Sequence, residues 1–427
     1  MANEWREASL GELTDWASGG TPPKENPEYW GGNIPWISAS SMKSGRLSDS
    51  DRTLTMKGLE QRSKLARKND ILLLVRGSEL HKRIPVGIAT RDVAFNQDVK
   101  SLRPKNGLSS TYLYYWLAAH ESMLLSKVEH TGIGAGKLDT AVLKNLRVQV
   151  PPIEAQRAIA HILSTLDDKI ELNRRRNQTL EDMARALFKD WFVDFGPVRT
   201  KIEGQEPYLP EEIWRLFPER LDDEGKPVEW EMSTVGECFN LTMGQSPPGD
   251  TYNDIGDGLP FFQGRTDFGF RYPENRKYCS APTRIANAED TLVSVRAPVG
   301  DINLAWEKCC IGRGVASIRH LSCARSFTYH AMWVLQDELK QYEHTGTVFG
   351  AINKKQFEAM GFLEPSRVLI DAYEHRIGPL DDEIRNNIGE SRTLAQLRDT
   401  LLPKLISGEL RIPNFSERTA NLLSGLS

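Results

Sequence analysis

What this sequence lacks narrows its function before any motif is read. Across 427 residues no 18 uncharged apolar residues run together, which excludes a hydrophobic membrane-crossing helix. The first residues, Met1 to Glu7, show neither an apolar segment nor a small-residue cleavage site, so no export signal is expected and the cytoplasm is the expected compartment. Cysteine is scarce: Cys238, Cys279, Cys309, Cys310 and Cys323 all lie in the second half without a C-x-x-C pair. That spacing excludes a zinc knuckle, and the five are read as reduced, partly buried thiols. If Cys309 and Cys310 share a strand, they point to opposite faces.

Catalytic signatures are equally sparse. The run Gly132 to Lys137 looks like a phosphate loop, but Thr131 stands where the first glycine belongs and Leu138 follows the lysine, so the P-loop pattern fails. It is read as a turn whose glycine amides and Lys137 can also approach a phosphate. No Asn-Pro-Pro-aromatic tetrapeptide, DEAD box or H-x-x-x-H spacing occurs, and no metal site is expected. Asp167-Asp168 and Asp381-Asp382 fall mid-helix, where solvation or helix pairing explains them better than a carboxylate pair. The balance shifts from catalysis to recognition. Nor is there a strong charge of one sign. The net charge is −4, yet residues 1–150 carry 21 Lys+Arg against 16 Asp+Glu while residues 230–365 carry 13 against 16. An anion-binding face must be local, and it is better supported in the first half.

What is present is a duplication. Trp5, Gly11, Gly19, Pro22, Pro23 and Pro35 recur as Trp230, Gly236, Gly244, Pro247, Pro248 and Pro260, all displaced by 225. The run Asp70 to Arg76 matches Asp290 to Arg296 at 220. Val99, Ser101 and Arg103 match Val315, Ser317 and Arg319 at 216, and His130-Thr131-Gly132 matches His344-Thr345-Gly346 at 214. The last offset persists through Asp167-Asp168-x-Ile170 and Asp381-Asp382-x-Ile384.

The helical segments carry a heptad seam. Ile159, Leu163, Leu166, Ile170, Asn173, Asn177, Leu180, Ala184, Leu187 and Trp191 alternate four and three apart. So do Tyr373, Ile377, Leu380, Ile384, Asn387, Ser391, Leu394, Arg398, Leu401 and Leu405. This spacing predicts two long helices that pair, with central polar residues fixing register. Antiparallel pairing is favoured, because parallel pairing would need residues 196–229 and the whole second domain to span back along the rod. The first helix, Ile153 to Phe192, is then a rod of about 60 Å with a domain at either end. Pro379, after Gly378, is expected to kink or break the second helix.

The expected fold is therefore α+β: two duplicated domains, each with short β-branched strands and one apolar helix (near Tyr112 to Leu125 and Phe327 to Leu339), separated by two antiparallel helices with pseudo-two-fold symmetry. The expected boundaries are domain 1 over 1–150, helix 1 over 151–195, linker over 196–229, domain 2 over 230–365, helix 2 over 366–410 and a tail over 411–427. One short helix is expected in the linker, around Glu211 to Phe217.

The ordered set of Gly19-Gly20-Thr21-Pro22, Tyr29-Trp30-x-Gly-x-Ile-Pro-Trp-Ile37, Asp70-Ile-Leu-Leu-x-Val-Arg-Gly77, Pro151-Pro152 and a long helix, given twice, resembles the DNA-specificity subunit of type I restriction-modification systems. The run Leu401 to Leu410 looks like that family's C-terminal signature. One departure is Glu154-Ala155-Gln156, where the family shows adjacent Glu-Gln, and the second copy lacks this Pro-Pro-x-x-Glu-Gln stretch altogether, which leaves the local helix start open. The resemblance implies a non-catalytic subunit that binds double-stranded DNA. Each domain is a target-recognition domain reading one half of an asymmetric bipartite sequence, and the helices set the gap and dock the methyltransferase subunits. It further implies two methyltransferase and two nuclease-translocase partners, which use S-adenosylmethionine, ATP and Mg2+, while the chain itself holds no cofactor. The alternatives are a self-contained restriction-methylation enzyme and a coiled-coil scaffold that does not bind DNA.

Candidate DNA-contacting residues are basic or amide side chains in equivalently placed loops. Arg76 and Arg296, just after an apolar strand, form the leading pair, since arginine forks onto guanine or phosphate. Next are Lys43 and Arg46, aligned with Gln263 and Arg265, then His81, Lys82, Arg83 and Lys137. Thr21 and Ser246 are placed either to donate to phosphate or to cap their loops. Trp30, Trp36 and Phe261 are expected in the core. Helix pairing is assigned to Leu163, Leu166, Ile170, Asn173, Asn177, Leu180, Ile377, Leu380, Ile384, Asn387 and Leu394.

Overall fold

The apolar strand Ile71–Leu74, buried at all four positions, sits centrally in the first domain because both its faces are covered. In this computed structural model, which describes residues 5–131, 134–344 and 350–412, the chain divides into two units. Unit 1 comprises residues 1–172 and 389–427, and unit 2 comprises residues 173–388.

In unit 1 a five-stranded sheet runs in the order Thr14–Ser18, Val99–Pro104, Ile71–Leu74, Val86–Ala89, Arg46–Leu47. A four-stranded sheet runs Thr53–Leu54, Trp30–Ile37, Val93–Phe95, Lys64–Ala66. The helix Ser110–Ala119 packs its buried Tyr112, Leu113, Tyr115, Trp116 and Leu117 on the core. Unit 2 repeats the plan. Phe239–Met243, Val315–His320, Thr291–Ser294 and Ile302–Leu304 form one sheet, and Leu259–Phe262 runs parallel to Cys309–Ile311 in another. The sequence offsets reappear as pairing register. Ser101 lies opposite Ala17, and Ser317 lies opposite Thr242.

The duplicated motif around Asp70 and Asp290 is structural. Asp70 is buried, and its carboxylate accepts from Arg103 at 2.9 and 2.7 Å and from the Arg67 amide at 2.9 Å. Asp290 does the same with Arg319 at 2.6 Å, Ser317 at 3.0 Å and the Asn287 amide at 2.7 Å. A buried carboxylate must be paired in this way. The duplicated Gly11 and Gly236 sit in short helices opened by equivalent capping boxes, Ser9 with Glu12 and Thr234 with Glu237. A Cβ at either would approach Lys144 or Glu358 at about 3 Å, so glycine permits the close packing.

The long helices are Ile153–Phe192 and Arg367–Ser407. The first starts at Ile153, where buried Gln156 accepts the Ser109 amide at 2.8 Å and donates to the carbonyls of Gly107 and Pro151. Unit 2 ties its domain helix to the long helix through a different residue. Glu374 accepts the Ser326 and Phe327 amides at the start of the helix Arg325–Val334. The second helix ends at Gly408, whose φ of +76° favours glycine and where a Cβ would stand 3.0 Å from the Trp5 ring.

The helix segments run antiparallel in each unit. In unit 1 Asp167 meets Arg398 and Lys169 meets Glu390. In unit 2 the Tyr373 hydroxyl donates to the Ala184 carbonyl, Asn387 Nδ2 donates to Asn177 Oδ1 at 3.0 Å, and Asn173 Nδ2 donates to the Asn387 carbonyl at 3.3 Å. Among the other seam positions Leu163, Ile377 and Ile384 are buried, while Leu166, Ile170, Leu180, Leu380 and Leu394 are half-buried.

Two expectations hold only in part. Pro379 does not break the second helix, which continues from Arg367 to Ser407. The proline is exposed while Ile377 and Ile384 are buried, so packing of the inner face offsets the ~3 kcal/mol that a helix-interior proline costs. Residues 196–229, expected as a linker with one short helix, carry a second helix and pack on the core of unit 2. They form the helices Gly196–Ile202 and Glu211–Trp214 and bury Val198 and Phe217 against Trp191 and its neighbours. All five cysteines are free; Cys309 and Cys310 join different apolar clusters, and Cys323 is exposed. Burial pushes the thiols of Cys238 and Cys309 up to about 12. No helix among the described residues is long and apolar enough to cross a membrane.

Candidate nucleic-acid interface

Backbone bonding at the end of the strand Ile71–Leu74 draws four chain segments of unit 1 to one edge. The Val75 amide donates to Asp98, and the Val75 carbonyl accepts from Leu138. Arg76 lies directly opposite Lys137 in the three-stranded sheet formed by Glu129–Thr131, Ala135–Lys137 and Arg76–Gly77. The Gly20 amide donates to Phe95, and Thr21 Oγ1 donates to Gln97 Oε1 at 2.7 Å. The glycine at 19 is required there, since a Cβ would stand 2.0 Å from the Phe95 carbonyl oxygen. Thr21, Gln97, Arg76 and Lys137 therefore converge, and the last three are exposed. The turn Ser78–His81 borders this edge, because Leu80 packs at Gly136, and it carries exposed His81, with exposed Lys82 just after it.

Unit 2 assembles the same edge from equivalent positions. Val295 donates to Gly314 and accepts from Ile352, and Arg296 bridges to Ala351. Ser246 Oγ accepts from the amide and Nε of Arg313, at 3.4 and 3.3 Å. A Cβ at Gly244 would stand 2.1 Å from the Gly312 carbonyl oxygen, and one at Gly314 would stand 2.2 Å from that of Gln263. The Ile311 amide donates to the Arg284 carbonyl. Arg284, Arg296, Arg313 and Gln263 are exposed, and the three arginines make no ion pair among the described residues.

This geometry sorts the sequence candidates. Arg76, Arg296 and Lys137 lie on the convergent edges; Lys137 also stands 3.8 Å from both Glu129 and Asp139. Thr21 and Ser246 hold their neighbours Gln97 and Arg313, so they cap loops and orient side chains. Gln263 is at the edge, but Lys43 is not its counterpart. Ile37 lies opposite Phe95 and Phe262 opposite Ile311, in parallel pairs, so Gln263 corresponds to Ser38.

Arg46 and Arg83 belong elsewhere. Arg46 pairs with Asp168 on the first long helix, while Arg83 pairs with Glu79 at 3.3 Å and donates to the Met42 carbonyl at 3.0 Å. Arg83 and exposed Lys43 line a cavity of about 420 Å³ with Tyr114, Asp167 and Arg398. Arg265 likewise pairs with Asp301 at 3.0 Å, beside a 320 Å³ cavity lined by Arg185, Tyr329 and Trp333. Trp36 and Phe261 are buried, and half-buried Trp30 meets Trp36 edge-on at 5.3 Å. Gly132 and Ile133, residues 346–349 of the equivalent loop, and most of the tail lie outside the described residues.

Sequence reasoning missed Gln97, Arg284 and Arg313. For Gln97 and Arg313 the signal was present: the 216 offset joining Val99 to Val315 reaches back to this pair. Among the described residues no group of three or more His, Cys, Asp or Glu side chains is arranged to hold a metal ion.

Comparison with known proteins agrees with the duplication. The family model for the type I restriction modification DNA specificity domain matches residues 2–182 and again 227–365. The MjaIX specificity subunit of Methanocaldococcus jannaschii, a type I restriction enzyme subunit, is 26% identical over 441 residues, covering 96% of this chain and 95% of that protein. The MjaX specificity subunit of the same organism, recorded as a putative type I restriction enzyme component, is 30% identical over 317 residues, covering 73% of this chain and 71% of the relative. The crystal structure of the type I restriction-modification S subunit from M. genitalium is similar in fold, with a TM-score of 0.57 at 19% identity, over 94% of this chain and 96% of that one. With a twofold match over most of its length, the chain belongs to the type I restriction-modification DNA-specificity family.

Proposed function

We propose that the chain is the DNA-specificity subunit of a type I restriction-modification complex and that each domain reads one half of an asymmetric, bipartite double-stranded target. The observation that carries this is the doubled edge. Each unit builds the same cradle from equivalent backbone bonds and furnishes it with non-identical cationic and amide side chains. Equal scaffolds with unequal readers suit a split target whose halves differ. The chain supplies no chemistry of its own. Two methyltransferase subunits, docked on the paired helices, bring S-adenosylmethionine, and two nuclease-translocase subunits bring ATP and Mg2+. The helices set the length of the unread gap, and the complex works in the cytoplasm.

The test is methylation of a randomised duplex library by the complex reconstituted with its methyltransferase subunit. An asymmetric two-part motif is expected, and the purified chain alone should neither methylate nor cleave. Methylation by the chain with S-adenosylmethionine alone would overturn the assignment. Arg76→Ala should weaken binding through one half-site by about 1–3 kcal/mol and leave preference at the other half intact.

A further inference from the structure

We propose that Arg313 is the residue by which the second domain selects a guanine in its half-site; the inference rests on the DNA-reading function above. Three observations carry it. First, its backbone is fixed. Gly312 donates to Phe262 at 2.8 Å, Gly314 accepts from Val295 at 2.9 Å, and a Cβ at Gly244 would collide with the Gly312 carbonyl oxygen, as one at Gly314 would with that of Gln263. The Gly-Arg-Gly turn is wedged between two neighbouring loops and presents a single long side chain.

Second, the guanidinium is held from its stem side. Ser246 Oγ accepts from Nε at 3.3 Å, while the residue is exposed and its terminal nitrogens make no hydrogen bond among the described residues. A guanidinium oriented through Nε offers its remaining N–H groups as a parallel fork, which matches O6 and N7 of guanine in the major groove. Orientation by a supporting hydrogen bond separates base reading from diffuse attraction to phosphate. Arg284 and Arg296 flank the turn and supply that attraction.

Third, the first domain carries a different residue in the same cradle. Gln97 occupies the equivalent position and is held by Thr21 at 2.7 Å, just as Arg313 is held by Ser246. An amide and a guanidinium present different donor and acceptor patterns, so this one position makes the two half-sites unlike.

The experiment uses the complex reconstituted with its methyltransferase subunit and a duplex library randomised across both half-sites. It compares wild type with Arg313→Gln, Arg313→Lys and Ser246→Ala. Arg313→Gln is expected to lower preference for guanine at one position of the second half-site roughly ten- to a hundred-fold. Its other positions, which also report an intact second domain, and the whole first half-site should be unchanged. Lysine should not recover the preference, and Ser246→Ala should produce a smaller loss at the same base pair. Uniform weakening on all sequences, recovery by lysine, or unchanged preference would overturn the role of Arg313. A wild-type complex with no two-part preference would instead overturn the reading on which it rests.

Discussion

The two units solve one packing problem with different chemistry. Unit 1 closes its helix segments with aliphatic side chains, Ile159, Leu163, Leu405 and Ile406, that join the domain core. Its ion pairs are half-exposed: Asp167 accepts from Arg398 at 2.8 Å and from the Tyr115 hydroxyl at 2.6 Å. Unit 2 uses rings and a buried charge. Phe188, Trp191, Phe192, Phe327 and Tyr373 pack edge to face. Arg271, with 0% side-chain exposure, lies between Glu181 and Asp381 and 4.1 Å from the ring of Tyr329. Burial opposes ionisation of both Arg271 and Asp381. The two carboxylates nevertheless keep the arginine charged, while the carboxyl of Asp381 stays above its ordinary range. Such a triad costs desolvation and returns geometric specificity. A duplicated sequence thus preserves strand register and loop geometry while its helix contacts diverge.

The largest test of this difference is Arg271→Ala. Removing the cation leaves Asp381 buried without its arginine and Glu181 with Arg185 alone, so unit 2 should lose about 3–5 kcal/mol. Hydrogen exchange in the strands Thr291–Ser294 and Ile71–Leu74 would resolve the effect, with the second strand unchanged. A loss below about 1 kcal/mol would place the triad among ordinary surface pairs.

A smaller effect comes from pH. His330 is buried where unit 1 has Tyr115, and its Nδ1 lies within hydrogen-bond distance of the Ser326 carbonyl and the Tyr373 hydroxyl. Burial, then the charge of Arg271, with Arg185 adding to it, holds its pKa well below the usual histidine value. The unfolded chain takes up a proton near pH 6.5 that the folded one refuses. Stability from this site is therefore complete above that pH and declines below it, by at most about 1.4 kcal/mol per pH unit. His320, beside Glu364, is also depressed by burial and acts in the same direction, while Asp381 and Glu374, raised by burial, act oppositely at lower pH. His330→Phe should flatten thermal stability of unit 2 between pH 7.5 and 5.5; an unchanged slope would contradict the assignment. Smallest of all, Arg398→Ala in unit 1 should cost no more than about 1 kcal/mol by denaturant titration, because solvent already screens that pair.

The duplication made much of this fold legible, since offsets of 225, 220, 216 and 214 residues map directly onto strand register. The heptad located both helices, because buried seams repeat where solvated faces do not. Other features needed three dimensions. Gln263 and Lys43 both follow a Pro-aromatic strand, which aligns them in sequence, and only the parallel pairing of Phe262 with Ile311 shows the true counterpart of Gln263 to be Ser38. Arg46 and Arg265 have the same side chain as Arg76 and Arg296, yet acids distant in sequence, Asp168 and Asp301, engage them. The acidic composition of 196–229 hid the few residues, Val198 and Phe217, that fasten it to the core. The net acidity of residues 230–365 likewise hid a local cluster of three arginines, because a sum over a domain does not report which charges share an edge.

The central claim is that two separate readers are joined by helices that set the distance between their half-sites. It is tested most directly by inserting one heptad after Leu172 and one after Ile388, which keeps both seams in register, and sequencing the methylome of cells expressing the system. Seven residues add about 10 Å of helix. The account predicts that both half-site sequences are retained while the gap lengthens by up to about three base pairs. An unchanged gap, or altered bases within either half-site, would contradict it.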